Sequence, residues 1–434
     1  MQDTIYALAT GSMACAVSII RVSGPRTAEI ARRFCAVTLQ PRQARYCDVR
    51  DPHDHELIDS GLVLFFQGPA SFTGEDCLEF QLHGSRAVVT RMFKALQREH
   101  GVRIAQPGEF IRRAFDHGKL ALTSVEGIAD LIDARTDLQR RQALVQAGGG
   151  LASQAEAWRH MLLDGLALVT AEIDFADEGE APTQVLGEVR SIAGQLLAEL
   201  RQTLRDADRG ELVKSGFRVV LCGPPNVGKS TLMNALARRD VAIVTEHAGT
   251  TRDVIEVELE LNGLPVILSD TAGLRETADA VEAIGVAKSR EIMAIADLVL
   301  WLGDAASASV FLEPHPRMLV VASKMDAVHK APDWADVCVS AQTGFGLDDL
   351  INKVSNVCAG MVAGELSLVT NARQRACIET AARHVERLMA EEVDALELVA
   401  ADLGRCADAL QELTGRIGTE DILGSVFSRF CMGK

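Results

Sequence analysis

The spacing of hydrophobic residues divides the chain into regions with different predicted elements. Residues 1 to about 117 mix β-like runs with helical stretches, the clearest being Ala16–Val22, Gly61–Phe66, Cys77–His83, 86–98 and 107–116. From about 118 to 212 strand signals nearly vanish, and apolar residues recur at helical spacing in 122–147 and 151–173. In the second stretch they are Trp158, Leu162, Leu166, Val169 and Ile173. This part is predicted to be helical.

A third pattern begins at Phe217–Leu221, an apolar run typical of a buried strand, and lasts to about residue 355. Helical stretches there alternate with β-like runs at 255–261, 265–269, 298–302, 318–322 and 337–339, which predicts a mostly parallel sheet. After about residue 370 the chain is helical again through 428. We therefore predict an α/β + α protein in which one helical domain is interrupted by an inserted α/β domain. The predicted boundaries are 1–117, 118–212, 213–355 and 356–434.

Composition bounds the class of protein. The 434 residues carry a net charge of −16, with 48% hydrophobic and 24% charged residues, as is ordinary for a globular protein of two to four domains. The negative charge argues against a surface built for nonspecific nucleic-acid binding, so any RNA contact needs a local basic patch or another subunit. Ten cysteines without zinc-type spacing indicate a reducing compartment and no structural metal.

Two apolar stretches bear on location. Residues 4–20 are uncharged, but Asp3 stands where a secretory signal has basic residues, and no Lys or Arg precedes Arg21. The apolar stretch 292–312 is broken by Asp297 and Asp304, so it does not read as a membrane span. We expect a cytoplasmic protein.

Residues 223–230, GPPNVGKS, fit the phosphate-binding pattern G-x-x-x-x-G-K-[ST] directly after the predicted strand at 217–221. In such a turn small residues let successive backbone N–H groups surround a phosphate chain. Lys229 is expected to place its charge at the β- and γ-phosphates, and the Ser230 hydroxyl to bind Mg²⁺.

Three further signals follow in the order of a guanine-nucleotide switch: DTAG at 270–273, SKMD at 323–326 and SAQ at 340–342. Asp270 is expected to approach Mg²⁺ through water, and Gly273 to offer its N–H to the γ-phosphate. The Asp326 carboxylate can accept two hydrogen bonds from guanine, which adenine cannot supply. Lys324 is expected to cover the base face, and the 340–342 loop to cover the guanine O6. Ser323 stands where Asn is usual, which predicts a weaker clamp between this loop and the phosphate turn.

The position after DTAG holds Leu274, where many switches carry a Gln that orients the attacking water. Either hydrolysis is inefficient or another residue holds the water. Glu282 is a candidate, although it is equally readable as a solvated helix carboxylate. No arginine finger is obvious, since Arg252 and Arg275 also read as surface charges.

Motifs along nearly the whole chain resemble those of the tRNA-modification GTPase MnmE (TrmE) family. They are IIRVSGP at 19–25, TGED at 73–76, PGEF at 107–110 with Arg113-Ala114-Phe115, Gly118-Lys119, Ile173-Asp174-Phe175, GTTRD at 249–253, DTAGLRE at 270–276 and the terminal FCMGK at 430–434. The C-x-G-K ending together with GTTRD and DTAGLRE is specific, because ordinary switch GTPases lack that tail.

The resemblance implies an N-terminal folate-binding and dimer-forming α/β domain, a central helical domain and an inserted Ras-like P-loop GTPase domain. It implies GTP hydrolysis, activated by K⁺ and by pairing of two G domains of a homodimer. The family acts with the flavoprotein MnmG (GidA), in a heterotetramer-like complex, to build carboxymethylaminomethyl-type groups on C5 of the wobble uridine (position 34) of tRNA. A tetrahydrofolate derivative, 5-formyl- or methylene-tetrahydrofolate, donates the one-carbon unit.

By the same resemblance Asn226, Thr245, His247 and Thr250 are K⁺ ligands, Ser230 and Thr251 bind Mg²⁺, and Glu282 positions the water. Without it, Asn226 reads as a turn former. The implied GTP-binding residues are Asn226, Val227, Gly228, Lys229, Ser230, Thr231, Thr245, Glu246, His247, Ala248, Gly249, Thr250, Thr251, Asp270, Thr271, Ala272, Gly273, Ser323, Lys324, Asp326, Ser340, Ala341 and Gln342. Lys229, Glu282 and Cys431 are the implied catalytic residues.

The implied folate-binding residues are Arg21, Glu79, Lys119 and Lys434. Each of these charges, taken singly, also reads as part of a solvated face. Cys431, near Lys434 and the chain end, is either a readily ionised thiol that takes part in one-carbon transfer or an inert tail cysteine.

The chain departs from the family pattern at Gly11–Ala16, Ala121, Ser323 and Met432. A competing hypothesis is a regulatory RNA- or ribosome-associated switch GTPase without folate-linked activity. It leaves the C-x-G-K tail and the N-terminal motifs unexplained.

Overall fold

A computed structural model describes residues 3–11, 15–174, 182–239, 255–270, 292–307, 315–390, 395–416, 424, 426, 427, 430 and 433. The chain divides into two compact units. Unit 1 comprises Met1–Ala129, Ala147–His160 and Ala407–Lys434, and unit 2 comprises Asp130–Gln146 and Met161–Cys406. Each unit therefore draws on separate stretches of sequence.

Unit 1 contains a six-stranded sheet in the order β3-β4-β5-β2-β1-β6. Its strands are β1 (Thr4–Leu8), β2 (Cys15–Ser23), β3 (Arg45–Arg50), β4 (Leu57–Phe66), β5 (Cys77–Gly84) and β6 (Val102–Ile104). Its neighbours are antiparallel except β1 and β6, which are parallel. Helices α1 (Thr27–Cys35) and α2 (Arg86–Gln97) supply Phe34 and Met92 to the core that this sheet buries.

The hydrophobic pattern predicts β2, β4 and β5, whereas β1, β3 and β6 carry weaker signals. In β3 only Cys47 and Val49 are buried and the other four residues are exposed, so the strand lacks an apolar run. β6 has three residues, too few for a periodicity to show. Helix α3 (Glu109–Asp116) follows and contributes the buried Phe110 and Ile111.

The helical stretches are longer and more divided than the sequence suggests. The region 122–147 contains two helices, α4 (Leu122–Asp133) and α5 (Asp137–Ala147). They are separated at Thr136, whose Oγ1 accepts a hydrogen bond from the Gln139 N–H (3.3 Å) as an N-cap does. Helices α6 (Gly150–Asp174) and α7 (Pro182–Ser215) follow. In α6, Trp158, Leu162 and Val169 are buried as predicted, whereas Ile173 is 37% exposed.

The second sheet, in unit 2, has the order β12-β11-β10-β7-β9-β8. Its strands are β7 (Phe217–Cys222), β8 (Ile255–Leu261), β9 (Leu264–Asp270), β10 (Leu298–Asp304), β11 (Met318–Ser323) and β12 (Val337–Cys338). All neighbours are parallel except β8 and β9, which form an antiparallel hairpin. The prediction of a mostly parallel sheet is confirmed. Helices α8 (Lys229–Ala237) and α9 (Leu347–Met361) supply Leu232 and Leu350 to its core.

Helices α10 (Ala372–Ala390) and α11 (Leu396–Thr414) complete the described chain. Within unit 2 the segments on either side of the parallel sheet meet. The buried Gln146 side chain donates to Thr370 Oγ1 (3.2 Å), and Leu403 packs over Gly165. Among the described helices, none combines the length and the apolar character needed to cross a membrane.

Candidate functional site: a nucleotide turn and an arginine–glutamate site

The phosphate turn joins β7 to α8 at the centre of the parallel sheet. β7 lies between β9 and β10, so the turn emerges at the carboxyl edge of the sheet, where ligands of α/β folds bind. Gly223 has φ +139°, and a Cβ there would lie 2.3 Å from the Leu302 carbonyl oxygen. Gly228, with φ +102°, is the N-cap of α8. Both glycines are required by this backbone, which presents the helix N-terminus to an anion.

Lys229 is bent over the turn that precedes it. Its Nζ donates to the carbonyl oxygens of Gly223 (2.8 Å) and Pro224 (3.0 Å), and the residue is 7% exposed. The ammonium group is thus positioned beside the backbone that would surround a phosphate chain. Burial raises the pKa of the neighbouring Cys222 thiol to about 11, although Lys229 opposes the shift, so this thiol stays protonated at neutral pH.

Ser230 and Asp270 bring two oxygen donors together. The Ser230 hydroxyl donates to Asp270 Oδ2 at 2.6 Å, and Asp270, at the end of β9, is 1% exposed. Hydroxyl and carboxylate oxygens are the hard donors that Mg²⁺ prefers, and Ser230 directly follows Lys229 in the chain. The pair therefore fits the magnesium site expected from the sequence.

The predicted base-reading residues lie after β11 and β12. Lys324 has a left-handed backbone (φ +59°), and its Nζ contacts Asp304 Oδ2 at 2.9 Å. Hydrogen bonds from the Ala306 N–H and from Lys324 lower the pKa of Asp304. Asp326 is exposed, and its Oδ1 accepts a 2.5 Å hydrogen bond from the buried Ser340 hydroxyl. This bond orients the Asp326 carboxylate while leaving it accessible to a base.

Ser323, which the sequence predicts to form a weaker clamp than Asn, contacts the phosphate turn through its hydroxyl. Its hydroxyl lies 2.7 Å from the Val227 carbonyl oxygen in the phosphate turn and 3.1 Å from the Gly303 carbonyl oxygen. The residue is 5% exposed. A direct link between the base-reading segment and the turn is therefore present although no Asn stands at this position.

The remaining nucleotide positions divide into two groups. Val227 is buried, Ala341 is half-buried, and Thr231 and Gln342 are exposed. Asn226 is exposed with φ +60°, a conformation that Asn tolerates well, which agrees with its interpretation as a turn former. Outside the described residues lie Thr245, Glu246, His247, Ala248, Gly249, Thr250, Thr251, Thr271, Ala272, Gly273 and Glu282.

In unit 1, Arg21 and Glu79 form an ion pair across neighbouring strands. They are register partners on β2 and β5, and Arg21 Nε donates to Glu79 Oε1 at 3.0 Å. The Arg21 guanidinium also lies 5.6 Å from the Phe72 ring centre and 5.8 Å from that of Phe110. Aromatic faces at these distances attract a cation. Phe110 ends the PGEF motif and Phe72 directly precedes the TGED motif, but nothing in their spacing shows that they converge on Arg21.

The other proposed folate-binding positions are Lys119 and the C-terminal tail, residues 430–434, of which the structure describes only part. Lys119 Nζ donates to the Pro69 carbonyl oxygen (3.0 Å), three residues before Phe72 in the chain. Gly433 is buried against β1, and a Cβ on it would lie 2.0 Å from the Leu8 carbonyl oxygen. The glycine of the C-x-G-K ending is thus required by close backbone approach. Its neighbours Cys431 and Lys434 lie outside the described residues.

A buried ionic network that the sequence did not reveal supports this part of unit 1. Arg113 Nη1 contacts Glu75 Oε2 (3.0 Å), and its Nη2 contacts Glu109 Oε1 (3.0 Å). Glu75 also accepts a hydrogen bond from the Ser23 hydroxyl (2.8 Å). These contacts hold the TGED and PGEF motifs together next to Phe72 and Phe110.

The chain was compared with protein families and known proteins. A family model described as "MnmE helical domain" matches residues 122–431, and one described as "GTP-binding protein TrmE N-terminus" matches residues 4–119. The tRNA modification GTPase MnmE of Beijerinckia indica is 48% identical, over 100% of this chain and 96% of that protein. That of Rhodopseudomonas palustris is 46% identical, over 100% and 99%. A crystal structure of Aquifex aeolicus Era bound to GDP and AlF4⁻ is 25% identical over 41% of this chain and 69% of that chain, with a TM-score of 0.26. Both family models and the full-length identities place this chain in the MnmE family of tRNA modification GTPases.

Proposed function

We propose that this GTPase supports C5 modification of the wobble uridine of tRNA, forming carboxymethylaminomethyl-type groups together with the flavoprotein MnmG and a folate one-carbon donor. The observation that carries the GTPase half is the Ser230–Asp270 contact of 2.6 Å beside Lys229, since it joins a phosphate turn to a magnesium-type oxygen pair. The tRNA half is supported by full-length similarity to proteins named tRNA modification GTPase MnmE.

In this proposal each nucleotide residue has a separate task. Lys229 exchanges its contacts with the Gly223 and Pro224 carbonyls for the β- and γ-phosphates. Ser230 and, through water, Asp270 would hold Mg²⁺, which when bound would neutralise charge on the transferred phosphoryl group. Asp326, oriented by Ser340, accepts the two guanine N–H hydrogen bonds.

Activation by K⁺ in a homodimer is a further part of the proposal. Leu274 cannot orient a water molecule, so Glu282 would take over the task of the absent glutamine. A K⁺ ion at the phosphate turn would supply the positive charge that an arginine finger supplies in other GTPases. The exposed Asn226 supports this, because its amide oxygen is a suitable ligand at the mouth of the turn. The other proposed ligands, Thr245, His247, Thr250 and Thr251, lie outside the described residues.

The folate part rests on Arg21, Glu79, Phe72 and Phe110. A pterin ring is flat and carries N–H groups, so it suits a place with aromatic faces, a carboxylate acceptor and a guanidinium. Lys119 would attract the anionic tail. Gly433, which stands between Cys431 and Lys434 in the sequence, packs on Leu8 of the same unit.

The proposal is tested by nucleoside analysis of tRNA from a deletion strain. The wild-type gene and the Lys353→Ala variant are both expected to restore C5-modified wobble uridine. Lys353 is a half-buried lysine whose Nζ contacts Asp349 and the Asp336 carbonyl oxygen. Lys229→Ala is expected not to restore it. Unchanged modification in the deletion strain, or restoration by Lys229→Ala, would overturn the proposed role.

A further inference from the structure

The connection between α4 and α5 contacts the nucleotide-binding sheet of unit 2 through charged side chains. Arg135 in this connection forms an ion pair with Glu258 of β8, and both side chains are about one-third exposed. Nearby, Asp130 pairs with Lys214 (2.7 Å), and Gln139 Nε2 donates to the Lys214 carbonyl oxygen (3.1 Å). Lys214 lies in the last turn of α7, directly before β7 and the phosphate turn. The end of α4, the start of α5 and the connection between them therefore contact both α7 and the β8–β9 hairpin.

The position of Glu258 on the hairpin links this contact to the catalytic edge. Glu258 is the register partner of Ile267, and Asp270, three residues further along β9, accepts the Ser230 hydrogen bond. β8 ends the strand order of the sheet, so β9 alone joins it to the remaining strands. The β8–β9 ladder is therefore a continuous hydrogen-bonded connection between the strand that carries Glu258 and the strand that carries Asp270.

The face of the hairpin next to Arg135 is not tightly packed. A cavity of about 210 Å³ lies between the α4–α5 connection, the end of α7 and the hairpin, and Asp133, Thr136, Ser215 and Pro265 are among the residues that line it. Because the cavity separates this face of the hairpin from the α4–α5 connection, the two are not held together by close apolar packing there. Arg135 and Glu258 both line this cavity, so their ion pair is a polar contact between the α4–α5 connection and β8.

Three negative charges on β8 make the position of this strand more dependent on the positive charge of Arg135. Glu256, Glu258 and Glu260 alternate along β8 and so lie on one face of the strand, about 7 Å apart from one to the next. Without the guanidinium their mutual repulsion favours a distorted or displaced strand. Leu259 and Leu261 point the other way, into the core, so the repulsion acts against their packing.

We infer that Arg135 is a positioning residue for GTP hydrolysis, which acts through Glu258 and the β8–β9 hairpin to fix Asp270 against Ser230. Lys229 and Asp326 lie on α8 and after β11, so nucleotide binding through them is not routed through this contact. Loss of Arg135 is therefore expected to affect the magnesium-dependent step more than binding of the nucleotide.

The test uses the full-length protein and steady-state GTP hydrolysis with Mg²⁺ titrated at each GTP concentration. Arg135→Glu and Glu258→Arg are each expected to lower kcat and to raise the Mg²⁺ concentration for half-maximal rate by about three- to tenfold, while KM for GTP changes less than about twofold. The double variant, with the charges exchanged, is expected to return both values to within about twofold of wild type.

Arg140→Glu is the matched control, because Arg140 on α5 pairs with Asp137 and its reversal introduces the same charge change. It should leave kcat and the Mg²⁺ requirement unchanged. If Arg135→Glu does not fold, Arg135→Gln, which removes the charge and keeps the stem, takes its place.

A purely structural ion pair would lower the melting temperature without moving the Mg²⁺ requirement. That result, or a double variant in which the two defects add instead of cancelling, overturns the inference. Cancellation of the Mg²⁺ defect in the charge-exchanged protein supports it.

Discussion

The Ser323 hydroxyl donates to the Val227 carbonyl oxygen at 2.7 Å and so connects the base-reading segment to the phosphate turn. In Ser323→Ala this carbonyl loses a buried donor, which typically costs about 1–3 kcal/mol. We expect GDP to dissociate roughly tenfold faster, since about 1.4 kcal/mol corresponds to a factor of ten. Preference for GTP over ATP should not change, because Asp326 is untouched. Stopped-flow release of a fluorescent GDP analogue measures the first effect.

Ser215→Ala is a suitable control for this measurement, because the Ser215 hydroxyl bonds to the Glu211 carbonyl at an exposed helix end. Equal GDP release from wild type and Ser323→Ala would show that the hydrogen bond does not hold the turn.

Asn226 allows the turn-former and K⁺-ligand interpretations to be separated. Asn226→Gly keeps the left-handed conformation at φ +60° and removes only the amide side chain. If Asn226 is a K⁺ ligand, wild-type GTP hydrolysis should be at least about tenfold faster in KCl than in NaCl. The reason is that without K⁺ the transition state loses a stabilising positive charge. Asn226→Gly should lose most of that difference.

GDP affinity should change little in Asn226→Gly, since the backbone of the turn is preserved. Equal rates in the two salts for the wild type would remove the K⁺ proposal. A normal K⁺ response in Asn226→Gly would leave Asn226 as a turn former.

Arg21 and Glu79 provide the test of folate binding. Arg21→Ala removes the ion pair and the cation between Phe72 and Phe110, and charge-assisted contacts of this kind contribute about 1.5–3 kcal/mol. Affinity for 5-formyltetrahydrofolate should therefore fall roughly tenfold to a hundredfold by calorimetry. Basal GTP hydrolysis should be retained.

Arg45→Ala, on the outer strand β3 of the same sheet, should bind like wild type. Absence of heat with wild-type protein would refute the folate site and favour a regulatory switch GTPase without folate-linked activity.

Glu109 predicts how the stability of unit 1 depends on pH. Burial of its carboxyl opposes ionisation, but hydrogen bonds from Arg103, the Gln106 N–H and Arg113 outweigh burial and lower the pKa from 4.5 to about 2. A depressed carboxyl pKa stabilises the fold above the unfolded-state value, and this contribution is lost as pH falls from 4.5 towards 2. The shift corresponds to roughly 3 kcal/mol at neutral pH.

Glu109→Gln should accordingly lower the melting temperature at pH 7, and the difference from wild type should shrink between pH 4.5 and pH 3. Arg103→Gln should reduce the pH-dependent part of the melting temperature that the Glu109 carboxylate contributes. A difference that stays constant over this range would show that Glu109 acts through packing and not through its charge.

The sequence predicts the parts of the site that depend on local backbone. The phosphate turn follows a buried strand, as GPPNVGKS after Phe217–Leu221 indicates, and Ser230 and Asp270 meet because parallel strands end at one edge. Contacts set by register or by distance in space are not visible in that way. Phe72 and Phe110 approach Arg21 from two separate segments of the chain, which the contact between Glu75 and Arg113 connects.

The same limit explains the unexpected findings. The effect of Ser323 depends on the distance to the Val227 carbonyl, which residue type does not give. The pairing of Arg135 with Glu258 depends on how α5 begins relative to β8, which hydrophobic periodicity does not encode. Periodicity also merged α4 and α5, because the break at Thr136 is made by capping hydrogen bonds of the Thr136 and Gln139 side chains, which apolar spacing does not show.

Gly433 provides a test of the tail that leaves Cys431 and Lys434 in place. In Gly433→Ala the new Cβ would lie 2.0 Å from the Leu8 carbonyl oxygen and 2.7 Å from Ala9 Cα, so the tail must move away from β1. If the tail completes the folate site, this variant should lose about tenfold in 5-formyltetrahydrofolate affinity, the effect of losing a single charge-assisted contact. GTP hydrolysis should stay near the wild-type rate, because the nucleotide turn is in unit 2.

Gly424→Ala is the matched control, since a Cβ at Gly424 meets nothing within 4 Å. Calorimetry on both variants, alongside their GTP hydrolysis rates, separates a local effect of the tail from general destabilisation. Full folate affinity in Gly433→Ala would mean that the chain end does not contribute to binding. The role of Lys434 as a folate ligand would then have to be given up, whereas Arg21 and Glu79 would remain candidates on their own evidence.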